Sequence, residues 1–182
     1  GPGFRLGDLY TALAQYELTI PGGCGATVGI GGQALGGGLG LLGRSRGLTS
    51  DQLVAAQVVL ADGRVVECDE QRHEDLFWAL RGAGAQGVGV VTRLTLRTLP
   101  EPAATSFHLE WPYERASALI AAWQEWSPTG PDELAASLLV TVGGEAGADP
   151  VIHLFGSMIG SEAETAALLD EFVSVAGADA AS

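Results

Sequence analysis

Four kinds of residue in this chain carry types and spacing that could do chemistry. The first is a glycine run: from Gly22 to Gly40 about half the residues are glycine, in the string PGGCGATVGIGGQALGGGLG at 21–40. Glycine inside regular elements costs about 0.5–1 kcal/mol relative to alanine, so such density needs a return, either backbone held close to a ligand or a series of tight turns. The second is Gly43-Arg44-Ser45-Arg46-Gly47, which has the spacing of a nucleophile elbow. An elbow needs a buried strand before the serine and a helix after it, and the short Leu39-Gly40-Leu41-Leu42 piece is a poor strand. The third, Gly82 to Gly87, has dinucleotide-fingerprint spacing, but a helix precedes it and a strand follows, the reverse of what points a helix N-terminus at a pyrophosphate. The fourth is Cys24, Cys68, His73, His108 and His153: two cysteines too few and too far apart for a zinc cluster, and three scattered histidines, so no metal site is expected.

Composition narrows the field. The 182 residues are 47% hydrophobic, enough for one domain or parts of two. The net charge of −13 argues against nucleic acid and against an anionic membrane surface. All nine cations are Arg, and a chain without Lys cannot build a Walker phosphate loop. No apolar run reaches the roughly 18 residues of a membrane span, and no basic-then-apolar leader opens the chain, so a cytoplasmic protein is the default expectation.

The elements that must position these residues follow from periodicity. Leu6, Leu9, Tyr10 and Leu13 predict a helix over 6–17, and Leu18 to Pro21 an extended lead into the glycines. LVAAQVVL and VVEC flank an Ala-Asp-Gly-Arg turn and predict a hairpin. A short helix over 74–81 precedes the strand VVTRLTLRTL, whose alternation sets Val91, Arg93, Thr95 and Arg97 against Thr92, Leu94, Leu96 and Thr98. Pro100-Glu101-Pro102 is the expected boundary, giving domains 1–100 and 101–182. Beyond it a βαββα order (strand 105–111, helix 114–126, strands 134–142 and 151–159, helix from a capping box at Ser161-Glu162-Ala163-Glu164) predicts an antiparallel sheet with helices on one face. Trp78, Trp111, Trp123 and Trp126 sit at core-type spacings.

In order, PGGC at 21–24, TVGIGG at 27–32, LGGGLGLLGR at 35–44, RGLTSDQLVAAQVVLADGRVV at 46–66, DLFWALRG at 75–82 and GVVT at 89–92 resemble the berberine-bridge-enzyme-like flavin oxidoreductases of the vanillyl-alcohol-oxidase superfamily. The resemblance implies an α+β fold: the second subdomain of a PCMH-type FAD-binding module, then part of an antiparallel-sheet substrate domain. It implies FAD as cofactor, with Pro21, Gly22, Gly23, Cys24, Gly25, Val28, Gly29, Gly31, Gly32, Gly36, Gly37, Leu39 and Gly40 along the ring and ribityl chain, and Gly89, Val90 and Val91 near the adenine end. The family's diphosphate loop, which often carries a flavin-linked His, corresponds to a segment upstream of Gly1. The family's cysteinyl position falls on Gly25, one residue after Cys24, so Cys24 is read as a small residue of the cofactor wall rather than a covalent link.

The implied activity is hydride removal from a small organic substrate such as a sugar, an alcohol or a natural-product intermediate, with O2 as reoxidant. The catalytic residue is unassigned. The alternatives are a non-catalytic fragment or truncated paralogue acting as a structural or interaction module and, more distantly, a GxSxG hydrolase at Ser45. A glycine-lined apolar seam would also favour self-association.

Overall fold

The computed structural model describes residues 1–84, 87–143 and 148–177, and divides into two compact units, Gly1–Glu101 and Pro102–Ser182. In the first unit, helix α1 (Leu6–Ala14) leads to a two-residue strand, β1 (Leu18–Thr19), which pairs antiparallel with β5 (Leu99–Pro100). Between them lie the short helices α2 (Ile30–Leu35) and α3 (Gly43–Arg46), strands β2 (Leu53–Val59) and β3 (Val65–Asp69), helix α4 (Glu74–Leu80) and strand β4 (Val90–Leu96). The sheet order is β3-β2-β4, all antiparallel, and the β2–β3 hairpin closes on the Asp62-Gly63 turn with Gly63 at φ +83°.

The alternation expected of β4 is broken by one extra residue. Gln57 pairs with Arg93 and Val58 pairs with Val91, so Thr92 is the bulged residue and the strand changes face across it. That is how Val91 and Leu94, on opposite faces of a regular strand, both pack against the same core. This core holds Leu35, Leu53, Ala56, Val58, Cys68, Phe77 and Leu80; a smaller cluster of Leu6, Ile20, Ile30 and Ala34 lies under α1. α2 forms despite Gly31 and Gly32 because Ile30, Ala34 and Leu35 are buried, so packing outweighs propensity. The expected helix over 6–17 stops at Ala14, with Glu17 turning at φ +56°.

The second unit is the βαββα layer read from the sequence: β6 (Ala104–Pro112), α5 (Ala116–Thr129), β7 (Leu134–Thr141), β8 (Val151–Ile159) and α6 (Glu162–Ala176). Strand order is β6-β8-β7, antiparallel throughout. Both helices contribute to one core with the inward side chains of the sheet: Trp111, Leu119, Ala122, Trp126, Leu134, Ile152, Leu154 and Phe172. Phe172 sits edge-on to Trp111, with ring centroids 6.0 Å apart, and beside Trp126 at 5.0 Å. Trp78 departs from its expected role: α4 turns Phe77 and Leu80 inward and leaves Trp78 72% exposed. Among the described residues no helix is long and apolar enough to cross a membrane.

Candidate functional site

The glycine run is built with a packed back and an open front. At the back, the chain crosses itself where Gly40 meets Gly22, so closely that a Cβ on Gly40 would fall on the Gly22 carbonyl oxygen. Gly22 is itself roofed by the Tyr10 hydroxyl. That hydroxyl donates to the Gly23 carbonyl at 2.8 Å, and burial pushes the Tyr10 phenol above its ordinary pKa, so it stays a donor. The buried Thr49 hydroxyl lies between the carbonyls of Pro21, at 2.7 Å, and Gly38, at 3.1 Å. The amides of Thr49 and Ser50 donate to the carbonyls of Gly38 and Gly37, where two successive glycines hold φ +82° and +99° in reverse order. Gln33 reaches the Leu39 carbonyl at 3.3 Å.

At the front, Cys24, Gly25, Val28, Gly29, Gly32, Gly36 and Leu39 are exposed. Nothing lies within 4 Å of where a Cβ on Gly29 or Gly32 would stand, and Gly32 is in helical backbone that needs no glycine. Among the described residues the amides of Gly23, Cys24 and Gly25 reach no acceptor within the chain. The loop is still fixed in place: Gly7 and Leu6, at the start of α1, donate to the carbonyls of Ala26 and Val28 at 3.0 and 2.8 Å. The result is a supported stretch of free donors, open at Gly29 and Gly32 and flanked by the Val28 side chain at Gly25 and by Gln33 at Gly23. Backbone donors without side chains over Gly29 and Gly32 suit a flat, acceptor-rich ring.

The expected site residues therefore separate. Pro21, Gly22, Gly31 and Gly37 are buried, and Gly40 is committed to Gly22. Gly23 is half-buried against Gln33. Gly89, at φ +136°, packs on the Val59 carbonyl; Val91 belongs to the core with Leu35; Val90 is exposed. Tyr10 and Thr49 hold the wall through hydrogen bonds to residues 13 and 28 positions away, a spacing that leaves no local signature in the sequence.

The competing motifs lose their geometry. Ser45 lies in the one-turn helix α3, no strand precedes it, and its hydroxyl donates to the Leu42 carbonyl at 3.3 Å, so no nucleophile elbow exists there. Gly82 to Gly87 runs from α4 into β4, with 85 and 86 outside the described residues. Cys68 is buried, donates toward the Ala56 carbonyl, and is held as a thiol by desolvation. The histidines read as scattered are not all so: the β6–β8 register brings His108 and His153 together.

Residues 1–69 match the family model for an FAD binding domain. Over 168 residues, 92% of the chain, it is 38% identical to YvdP, an FAD-linked oxidoreductase of Bacillus subtilis, of which it spans 37%. This chain belongs to the berberine-bridge-enzyme-like FAD-linked oxidoreductases. It is 35% identical over 176 residues, 94% of the chain, to the chitooligosaccharide oxidase of Gibberella zeae, of which it spans 34%. Among solved structures, the wild-type BBE-like 1 of Physcomitrella patens superposes on 99% of the chain at a TM-score of 0.90 and 36% identity, with 38% of that protein covered. The chain thus spans a little over a third of these relatives. The mixed α+β architecture with antiparallel sheets is the one these flavoproteins have, and the family's cofactor is FAD.

Proposed function

We propose that residues 21–40 form one wall of an FAD site in an oxidase-type enzyme. The whole protein would remove a hydride from a carbon bearing oxygen or nitrogen on a small organic molecule, with O2 as the final acceptor. One observation carries the reading: Gly29 and Gly32 are uncovered and the amides of Gly23 to Gly25 reach no acceptor among the described residues, while Tyr10 and Thr49 hold the segment through its carbonyls. When bound, FAD supplies the hydride acceptor. The chain's own residues supply the placement. The free amides of Gly23 to Gly25 donate to acceptor atoms, and Gly29 and Gly32 admit a planar ring at van der Waals distance. Gly36 and Leu39 flank that surface, and Gly89 and Val90 would serve the adenine end.

Cys24 lines this wall without bonding to the ring, since the family's linking position falls on Gly25. An oligosaccharide oxidase among the relatives favours a sugar over the other substrates. The exposed Val28, Leu39 and Leu41 beside the glycines support self-association when no flavin covers them.

The test is FAD retention by the full chain after desalting, read by visible absorbance, beside Gly32→Leu. Bound flavin in the parent, lost in Gly32→Leu at an unchanged Tm, is the expected result. A parent that stays colourless at saturating FAD favours the interaction-module reading. Flavin released by acid precipitation, equally from Cys24→Ser, is expected of a non-covalent wall.

A further inference from the structure

His108 and Glu110 on β6 and His153 on β8 share the sheet face opposite the helices, since Leu109, Trp111, Ile152 and Leu154 between them point into the core. Glu110 stands directly across from His153, and His108 is its diagonal neighbour. Their ligating atoms form a small triangle: His108 Nε2 to His153 Nδ1 is 3.0 Å, His153 Nδ1 to Glu110 Oε1 is 3.1 Å, and His108 Nε2 to Glu110 Oε1 is 3.5 Å. A tetrahedral ion with bonds of about 2.0–2.1 Å places its ligands roughly 3.3 Å apart, and these edges bracket that value.

Both ring nitrogens of His153 have close partners, and the cluster converges on one of them. Its Nε2 lies 2.7 Å from the Thr141 hydroxyl, and in the tautomer that donates there Nδ1 presents its lone pair to the other two residues. In that tautomer the Nδ1 lone pair stands beside the Glu110 carboxylate and His108 Nε2, the convergence of donor atoms that a bound cation uses. Donation of the second ring N–H to a neighbouring oxygen is also how metal-bound imidazoles are oriented.

We propose that His108, Glu110 and His153 bind a divalent transition-metal ion of the Zn²⁺ type, with Thr141 positioning His153. Two imidazoles and one carboxylate suit such an ion and not Mg²⁺ or Ca²⁺, which take oxygen cages. The three ligands approach from one side and leave coordination open to water or to an oxygen of a small molecule. Beside it is a hollow of about 370 Å³, walled by Leu139, Phe155 and the two histidines. The site lies wholly within the second unit and does not depend on the flavin reading.

The experiment is a calorimetric titration of the chelator-stripped full chain with Zn²⁺, with Co²⁺ absorption spectra alongside. One ion per chain, with ligand-field bands of a four- or five-coordinate nitrogen–oxygen site, is the expected result. His153→Ala and, separately, the more exposed His108→Ala should abolish binding, and Glu110→Gln should weaken it at least tenfold. Thr141→Val should weaken it by roughly ten- to a hundredfold, with the far-UV spectrum unchanged. Absence of saturable binding at micromolar Zn²⁺ would overturn the proposal. Binding that survives in the folded His108→Ala variant would overturn it too, by placing the ion elsewhere.

Discussion

The second unit and the glycine run of the first keep their shape by different means. In residues 102–182, side-chain volume does the work: Trp111, Trp126 and Phe172 fill one continuous core between a three-stranded sheet and two helices. In the glycine run of the first unit, the Gly22–Gly40 crossing is backbone against backbone, secured by two hydroxyls on carbonyls beside the buried side chains of α2. A side-chain core tolerates local repacking but cannot present a bare surface. A backbone-packed wall can present one, at the cost of positions where a single added carbon has nowhere to go. The difference explains why so much glycine is kept in one place, half of it for the back of the wall and half for the front.

That contrast can be broken, and the largest effect belongs to the side-chain core. Phe172→Ala removes a fully buried ring between two tryptophans and should cost about 3–5 kcal/mol in a urea melt. A loss under about 1 kcal/mol would mean that the second unit is not held by this core. Gly40→Ala comes next: the added Cβ meets the Gly22 carbonyl, for about 1–3 kcal/mol. It is paired with Gly32→Ala, which meets nothing and gains helix propensity, stabilising the chain by up to about 1 kcal/mol while FAD affinity drops. If the two alanines behave alike, the separation into back and front is wrong.

Thr49→Val should cost about 1–3 kcal/mol, because the buried Pro21 carbonyl loses its donor; Thr49→Ser should restore most of it. The smallest effect is at α6. Ser161→Ala removes the N-cap hydroxyl from the Glu164 amide, for about 1 kcal/mol. The Ser161 hydroxyl and amide, at 2.7 and 2.8 Å, hold the Glu164 carboxyl below its usual pKa. A lowered folded-state value adds stability that is fully present above the unfolded value of about 4.3 and is lost as pH falls through the lowered one. The Tm gap between Ser161→Ala and the parent should therefore narrow on acidification below pH 4. A gap that stays constant down to pH 2 would remove Glu164 from the cap.

Much of this was legible in the sequence where local chemistry decides the outcome. Asp62-Gly63 closes its hairpin, and Ser161 with Glu164 opens α6 at the expected residue. What stayed hidden depends on distant partners. Nothing near Gly31 and Gly32 announces a helix, since α2 is held by the burial of Ile30, Ala34 and Leu35. The bulge at Thr92 exists only relative to β2, so reading β4 alone as a regular strand put Val91 and Leu94 on opposite faces. His108 and His153, 45 residues apart, are neighbours only once the β6–β8 register is fixed. For the cofactor wall, the glycine-rich motifs located the segment, but which glycines face inward depends on the Gly22–Gly40 crossing.

The two cysteines differ in one further respect that matters at the bench. Cys68 is sealed in the core and Cys24 stands exposed on the front of the wall. A thiol-reactive dye or spin label on the native chain will therefore attach at one address. Its signal will report, without any substitution, when something covers the glycines beside it.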